Sequence, residues 1–483
     1  MGLLAKLRSL GRFRPAQSAD LPLVQPGQLR VISTRDDGLC MRINTILDAA
    51  LVARAYGGTY GFHWDEAETP AIDQQTTSSA LAVFEAGFLA GHRLSDGLIV
   101  DAPDLYAPPR TAEDLAARLA AGRSAGVLYL DQPRNFTSFL PDVLTRLPPA
   151  HYASAFAALG FSDAARRGIE AARRVDVHPG SVAIHLRGGD ILHGTHSHMG
   201  TYLHKAPSVP EIAAQIERLA AAQTPVWLIG QEPDVQLALA RVYPQVRAFG
   251  STDNRPDLGD VGDVLFDAVL MSQMAWLYGG NSGVTLLSRR LGDVPFTDMA
   301  QSGGLVSLNE LLTDPMAAPT YAGVAATSRA HAYAKAVIAA RPSEWQAHHL
   351  DLIRLAQAHR PQGKFLPLVE ICVMVGLGQL DPAEALAQDW LTLPLAGGID
   401  PQIGYAFLLG RDHYFPMSQA APFAGRLADD SRPALALIAS LAGHFADPKA
   451  VTKPMVLAAL AGVEAMDPQM QRIIRAGLDV SPS

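Results

Sequence analysis

The chain predicts an α/β protein in which strands and helices alternate through two tandem blocks, followed by an all-helical region. Three observations carry this. Short apolar runs recur, each bounded by turn residues. Between them lie segments whose apolar residues repeat at helical spacing. After about residue 325 the strand signal stops while the helical spacing continues. Strands alternating with helices argue for mostly parallel sheets. The boundaries that follow are 1–170, 171–325 and 326–483, and a length of 483 residues suits two or three domains.

In the first block "LRVIS" (29–33) reads as a strand and "TRDDG" as the turn after it. "MRINTILDAALVARAY" (41–56) has a helical apolar stripe, and "GTYGFHW" (58–64) reads as the next strand. Residues 79–92 suggest one helix. "DGLIV" (96–100) and "GVLYL" (126–130) are further strands, with an Ala-rich helix over 111–121 between them. The blocks join near residues 160–178.

In the second block "SVAIHL" (181–186), "PVWLIG" (225–230) and "AWLYGG" (275–280) read as strands. Helices are expected at 209–222, 234–243, 264–274 and 283–292, the last ended by a glycine stop. The helical region starts with two helices around a Pro-containing break (327–360). Residues 365–393 repeat the theme with a Gly-x-Leu-Asp-Pro turn. This is compatible with helical-hairpin repeats or with a helical domain that has no repeat.

Hydrophobic residues make up 48% and charged residues 18%, so a large core is available. The net charge of −8 gives no basic surplus to attract nucleic acid. Two cysteines, Cys40 and Cys372, are too few for a disulfide framework or a thiolate metal cluster, so a cytoplasmic, reducing compartment is expected. No apolar run is long enough to span a bilayer. The start, "MGLLAKLRSLGRFRP", is interrupted by Lys6 and Arg8 and fails as a signal peptide. It is either a frayed terminus or a basic amphipathic segment suited to peripheral contact with an anionic membrane.

The densest chemistry lies in "VAIHLRGGDILHGTHSHMG" (182–200). Alternate side chains of a strand share a face, which puts His185 with Arg187. Arg187 comes where the strand ends, and ligands of open α/β sheets sit beyond the carboxyl ends of strands. Its planar fork matches phosphate oxygens. Gly188 and Gly189 let the backbone turn sharply or approach a ligand, and Asp190 can fix the turn. A surface Arg187 paired with Asp190 would fit the same residues. In "YGGNSGV" (278–284), Asn281 or Ser282 can cap the following helix, whose start suits a diphosphate or is an ordinary cap. Arginine turn and capped helix together would make a two-sided anion clamp.

"IHLRGGDI" resembles the His-x-Arg-x-x-Asp motif of the fucosyltransferase superfamily, which includes α1,6- and protein O-fucosyltransferases. "DAVLMSQMAWLYGGNSGVTLLSRRLG" (267–292) resembles its later motif, and "DDGLCMRINTILDAALVARAYGG" (36–58) its opening segment. The resemblance covers roughly residues 29–295. It implies a GT-B fold of two Rossmann-like domains, here with the C-terminal helical domain added. It also implies inverting sugar transfer without a required metal or cofactor, from a nucleotide sugar, with GDP-fucose leading, to a glycan or glycoconjugate. Arg187 would be catalytic and hold the donor diphosphate. His185 and Asp267 would lie near the guanine, Ser282 near the phosphates, and Gly38 and Arg42 at the cleft edge of the first domain. "TYLHKAPSVPE" (201–211), with Tyr202 and Lys205, fits the segment after the arginine motif. The chain departs from the family at Cys40 and Met41, at Gly188, where several relatives carry a second arginine, and at Gln231.

Asp65 and Glu66 are candidate general bases or solvated loop carboxylates, and the role stays unassigned. A rival chemistry is a metal-dependent hydrolase in which His193, His196 and His198 bind a divalent metal with His185 or Asp190. Their spacing is that of a loop, not of a helical zinc site. A third reading is a non-catalytic scaffold whose helical region recruits a protein partner or holds an oligomer.

Overall fold

The computed structural model describes residues 30–35, 38–55, 57–64, 79–94, 127–130, 150–192, 205–249, 257–299, 321–340, 342–360, 365–392, 431–446, 449–463 and 465–479. In chain order its elements are β1 (Arg30–Ser33), α1 (Leu39–Ala55), β2 (Thr59–Phe62), α2 (Ala80–Val83), α3 (Ala86–His92), β3 (Val127–Leu130), α4 (His151–Ala157), α5 (Asp163–Arg173) and β4 (Val182–Leu186). There follow α6 (Gly189–Leu192), α7 (Val209–Ala221), β5 (Val226–Gly230), α8 (Pro233–Val242), β6 (Val246–Ala248), α9 (Gly259–Met271), β7 (Trp276–Gly279), α10 (Gly283–Gly292) and β8 (Phe296–Asp298). The last are α11 (Ala326–Ala339), α12 (Ala347–His359), α13 (Phe365–Gly376), α14 (Leu380–Thr392), α15 (Pro433–Ala446), α16 (Lys453–Gly462) and α17 (Pro468–Asp479). The fold is mixed α/β with parallel sheets.

Contacts divide the chain into two compact units. One holds Gly2–His185 with Ser251–Thr297, the other Leu186–Gly250 with Asp298–Ser483. In the first, β1 lies between β2 and β3 and pairs parallel with both. Every residue of β1 is buried, as expected of a central parallel strand covered on both faces. β4 pairs parallel with β7 in the register Val182↔Trp276 to His185↔Gly279. α5 and α9 cross backbone to backbone: a Cβ on Gly168 would stand 2.2 Å from the carbonyl oxygen of Gly262.

The expected helix over 79–92 is two helices, α2 and α3. Phe84 between them is extended and forms an antiparallel bridge with Phe161. Its ring is fully buried, with ring centroids 5.3 Å from Phe62, 5.2 Å from Phe88 and 5.8 Å from Phe161. Burying that ring outweighs helical periodicity. The stretch read as a junction carries α5, whose N-cap Ser162 accepts from Ala165 N. At the end of α10, Asp293 takes the left-handed conformation, not the expected glycine. Gly292 is needed for another reason, since a Cβ there would lie 1.9 Å from Ser272 O. Strands β6 and β8 were not foreseen. The expected strand at 96–100 and helix at 111–121 lie outside the described residues, as does the N-terminal segment.

In the second unit β5 pairs parallel with β6 through α8. α7 starts at a capping box in which Ser208 N donates to Glu211 Oε2 at 2.6 Å. From α11 onwards every described element is helical, and α11 to α16 pack each on the next. None of the described helices is long and apolar enough to cross a membrane. Cys40 and Cys372 are both buried, and burial pushes the Cys372 thiol up to about 12.

The start of α12 is expected to weaken in acid. The Gln346 backbone N–H donates to His349 Nδ1 at 3.0 Å, which requires that nitrogen to be unprotonated. Burial holds the His349 pKa below the usual histidine range, and His348, with ring centroids 3.9 Å away, pushes the same way. The unfolded histidine takes up its proton near pH 6.5, before the folded one does. The cap's contribution is therefore complete above that pH and is lost as pH falls through the lower folded value. Thermal melts should show Tm declining on acidification, with part of the decline removed in His349→Gln, which keeps an acceptor at this position. Identical pH profiles in the two proteins would dismiss the cap as the cause.

Candidate functional site

The carboxyl end of β4 delivers the chain to Arg187, which is half-buried and follows the strand's last residue directly. The backbone then turns through Gly188 and Gly189 into α6, with the N–H groups of Ile191 and Leu192 donating to Gly188 O at 2.9 and 3.0 Å. The turn is pressed by the residues after β5. A Cβ at position 188 would lie 1.4 Å from Glu232 Oε1, and one at 189, where φ is +35°, 2.3 Å from Gln231 Oε1. Gln231 N donates to Leu186 O at 3.0 Å, tying the two strand ends together. A side chain at either position would force Glu232 or Gln231 to move, and the positive φ at 189 favours glycine. A buried glutamate, Glu232, lies over Gly188. Asp190 falls within α6, with its side chain outside the described part of the structure.

In the other unit, His185 is buried at the end of β4 in register with Gly279. β7 leads through Gly280 and Asn281 to α10. Of the two candidate caps Ser282 does the work: its hydroxyl accepts from Thr285 N at 3.2 Å, and its own N–H donates to Thr285 Oγ1 at 3.0 Å. Asn281 is exposed. The N-terminal half of α1 lies against α10, with Asn44 Nδ2 donating to Gly283 O at 2.9 Å. Gly38 O accepts from Met41 N and Arg42 N at 2.9 and 3.2 Å. Arg42 is buried, its guanidinium carbon 4.7 Å from the centroid of the Trp64 ring. Asp267 is buried in α9. Thus His185, Ser282, Gly38 and Arg42 belong to one cluster of element ends, made by β4, β7, α10 and α1.

A buried polar network joins the same helices. Arg290 of α10 meets Asp48 of α1 through two contacts, Nη1 to Oδ1 at 3.1 Å and Nη2 to Oδ2 at 3.3 Å. Its Nη1 also donates to Asn44 O and Oδ1 at 3.2 and 3.1 Å. The Tyr152 hydroxyl of α4 donates to Asp48 Oδ1 at 2.9 Å, and the Arg290 guanidinium carbon is 4.6 Å from the Tyr152 ring centroid. Burial drives the Tyr152 pKa far up and Asp48 adds to it, so the phenol stays neutral and donates. Nothing in the sequence singles out Asp48 or Arg290, which are 242 positions apart, nor Glu232.

Lys205 is half-buried ahead of α7. Tyr202, Asp65, Glu66 and the histidines at 193, 196 and 198 lie outside the described residues. Among the described residues no three His, Cys, Asp or Glu are grouped to hold a metal ion.

No family model and no curated protein matches the chain. Solved structures do match, and they include fucosyltransferases. The fucosyltransferase NodZ from Bradyrhizobium is 16% identical, with a TM-score of 0.33 over 54% of this chain and 91% of that one. NodZ alpha-1,6-fucosyltransferase soaked with GDP-fucose gives the same identity and TM-score over 55% and 92%. POFUT1 in complex with GDP-fucose is 12% identical, with a TM-score of 0.31 over 57% and 99%. Likeness at this level assigns no residue a role.

Proposed function

We propose that the chain is an inverting, metal-independent glycosyltransferase of GT-B type. It moves a sugar, with fucose from GDP-fucose the leading candidate, to a hydroxyl of a glycan or glycoconjugate. The observation that carries the reading is the placement of Arg187: directly beyond the carboxyl end of a buried parallel strand, on a glycine turn covered by Gln231 and Glu232. The three sequence motifs at 36–58, 184–191 and 267–292 support it.

In the reaction the acceptor oxygen bonds to the anomeric carbon from the face opposite the leaving group. The bond from that carbon to the phosphate oxygen breaks, the diphosphate departs with the electron pair, and the acceptor hydroxyl's proton passes to water or to the departing phosphate. Arg187 stabilises the charge that builds there. His185 and Asp267 serve the guanine, and Ser282 holds the α10 start near the phosphates. Thermal shift and calorimetry with GDP, UDP and divalent metal ions test the reading. GDP at about a hundred times its Kd should add about 2.7 kcal/mol of stability. A response to UDP alone reassigns the nucleotide. Stabilisation by metal ions alone favours the histidine-loop hydrolase, and no response to any ligand favours the scaffold.

A further inference from the structure

The elements that follow residue 320 are docked on the strand-end segments of the second unit. Ala325 N donates to Asp234 Oδ2 at 2.6 Å, just after the Gln231-Glu232 pair. Lys335 of α11, itself buried, reaches Glu211 Oε2 at 2.6 Å and Ala206 O at 3.2 Å. Arg360, after α12, donates to Leu192 O at the end of α6. The most pointed contact is that of Ser328. Its hydroxyl, 1% exposed as a residue, donates to Glu232 Oε2 at 2.9 Å, while Glu232 Oε1 is the atom that presses on Gly188.

We infer that Ser328 of α11 and Glu232 are positioning residues for Arg187, so that the helical segment beginning at Ala326 is built into the arginine turn. The chain of contact is short: Ser328 hydroxyl to Glu232 carboxylate, Glu232 carboxylate to Gly188, Gly188 to its neighbour Arg187. A buried carboxylate holds one conformation when each oxygen has a fixed neighbour, and Ser328 supplies the neighbour for Oε2. Removing that hydroxyl takes a charge-assisted bond from the carboxylate that lies over the turn and loosens its hold there. Neither residue need touch a donor.

This rests on the donor-binding reading of Arg187 only in its second readout. The first is hydrogen exchange of the 186–192 amides in the full chain without ligand. Ser328→Ala and Glu232→Gln should accelerate exchange there, whereas Ser328→Thr, which keeps the hydroxyl, should not. The second is calorimetry with GDP, where loss of the bond should weaken Kd about tenfold and Ser328→Thr should restore it. Unchanged exchange at 186–192 in Ser328→Ala and Glu232→Gln would overturn the inference whatever GDP does. Accelerated exchange together with no GDP binding by the unaltered protein would uphold the positioning role and sink the donor reading instead.

Discussion

Replacing Arg187 by alanine is expected to lower sugar transfer about a hundred- to a thousandfold, the usual cost of removing one preorganised donor from a developing charge. The side chain is half-buried and sits beside the glycine turn that Glu232 and Gln231 cover. The melting temperature of the variant, measured alongside, separates loss of transfer from loss of fold. Arg187→Lys should recover little, because an ammonium keeps the charge but loses the two parallel donors that fit a diphosphate. GDP binding, measured by calorimetry, should weaken in both variants. Transfer at normal rates by Arg187→Ala would remove Arg187 from the mechanism.

The second large effect concerns stability. Asp48→Ala is expected to cost about 3–5 kcal/mol, since it strands the Arg290 guanidinium in the interior. Asp48 is fully buried and the Arg290 side chain nearly so, with Tyr152 donating to the same carboxylate. For a chain of this size the loss should appear as a fall in Tm on the order of 5–10 °C. The double variant Asp48→Leu with Arg290→Met should recover most of it, because an apolar pair of similar volume replaces an ion pair at little net cost. A single Asp48→Ala variant melting within about 2 °C of the parent would mean that the pair contributes nothing of weight.

What could be read from the sequence follows physical scale. The helices α7, α8, α9 and α10, ten to thirteen residues long, were legible because each carries apolar repeats that declare its period, whereas α1, seventeen residues long, is buried on nearly every side and was legible by its length. β6 and β8, three residues each, are too short to alternate visibly, and their pairing comes from their neighbours. Phe84 misled for the opposite reason: locally it continues a helix, and only Phe161, far along the chain, pulls it into a bridge. The arginine turn was legible because glycines and a strand end are local signals. The glutamate over that turn was not, because a carboxylate after β5 announces nothing until the fold brings it to Gly188. Likewise, choosing Ser282 over Asn281 as the cap needed the partner, Thr285, at the right angle.

The crossing of α5 and α9 has a bearing on how this sequence can change. Most of α5 is alanine and arginine, residues that tolerate exchange on a helix surface, and the ion pairs of Arg166 with Glu85 and of Arg174, just past the helix, with Glu170 are solvent-exposed. Gly168 stands apart. A single methyl there would be driven into the Gly262 backbone, which cannot yield as a side chain does. Alanine, the commonest helical substitute and the smallest step available, is thus barred at the one place where helix propensity would most favour it. Drift along α5 must pass around a fixed point, and any alteration at 168 requires α9 to move first.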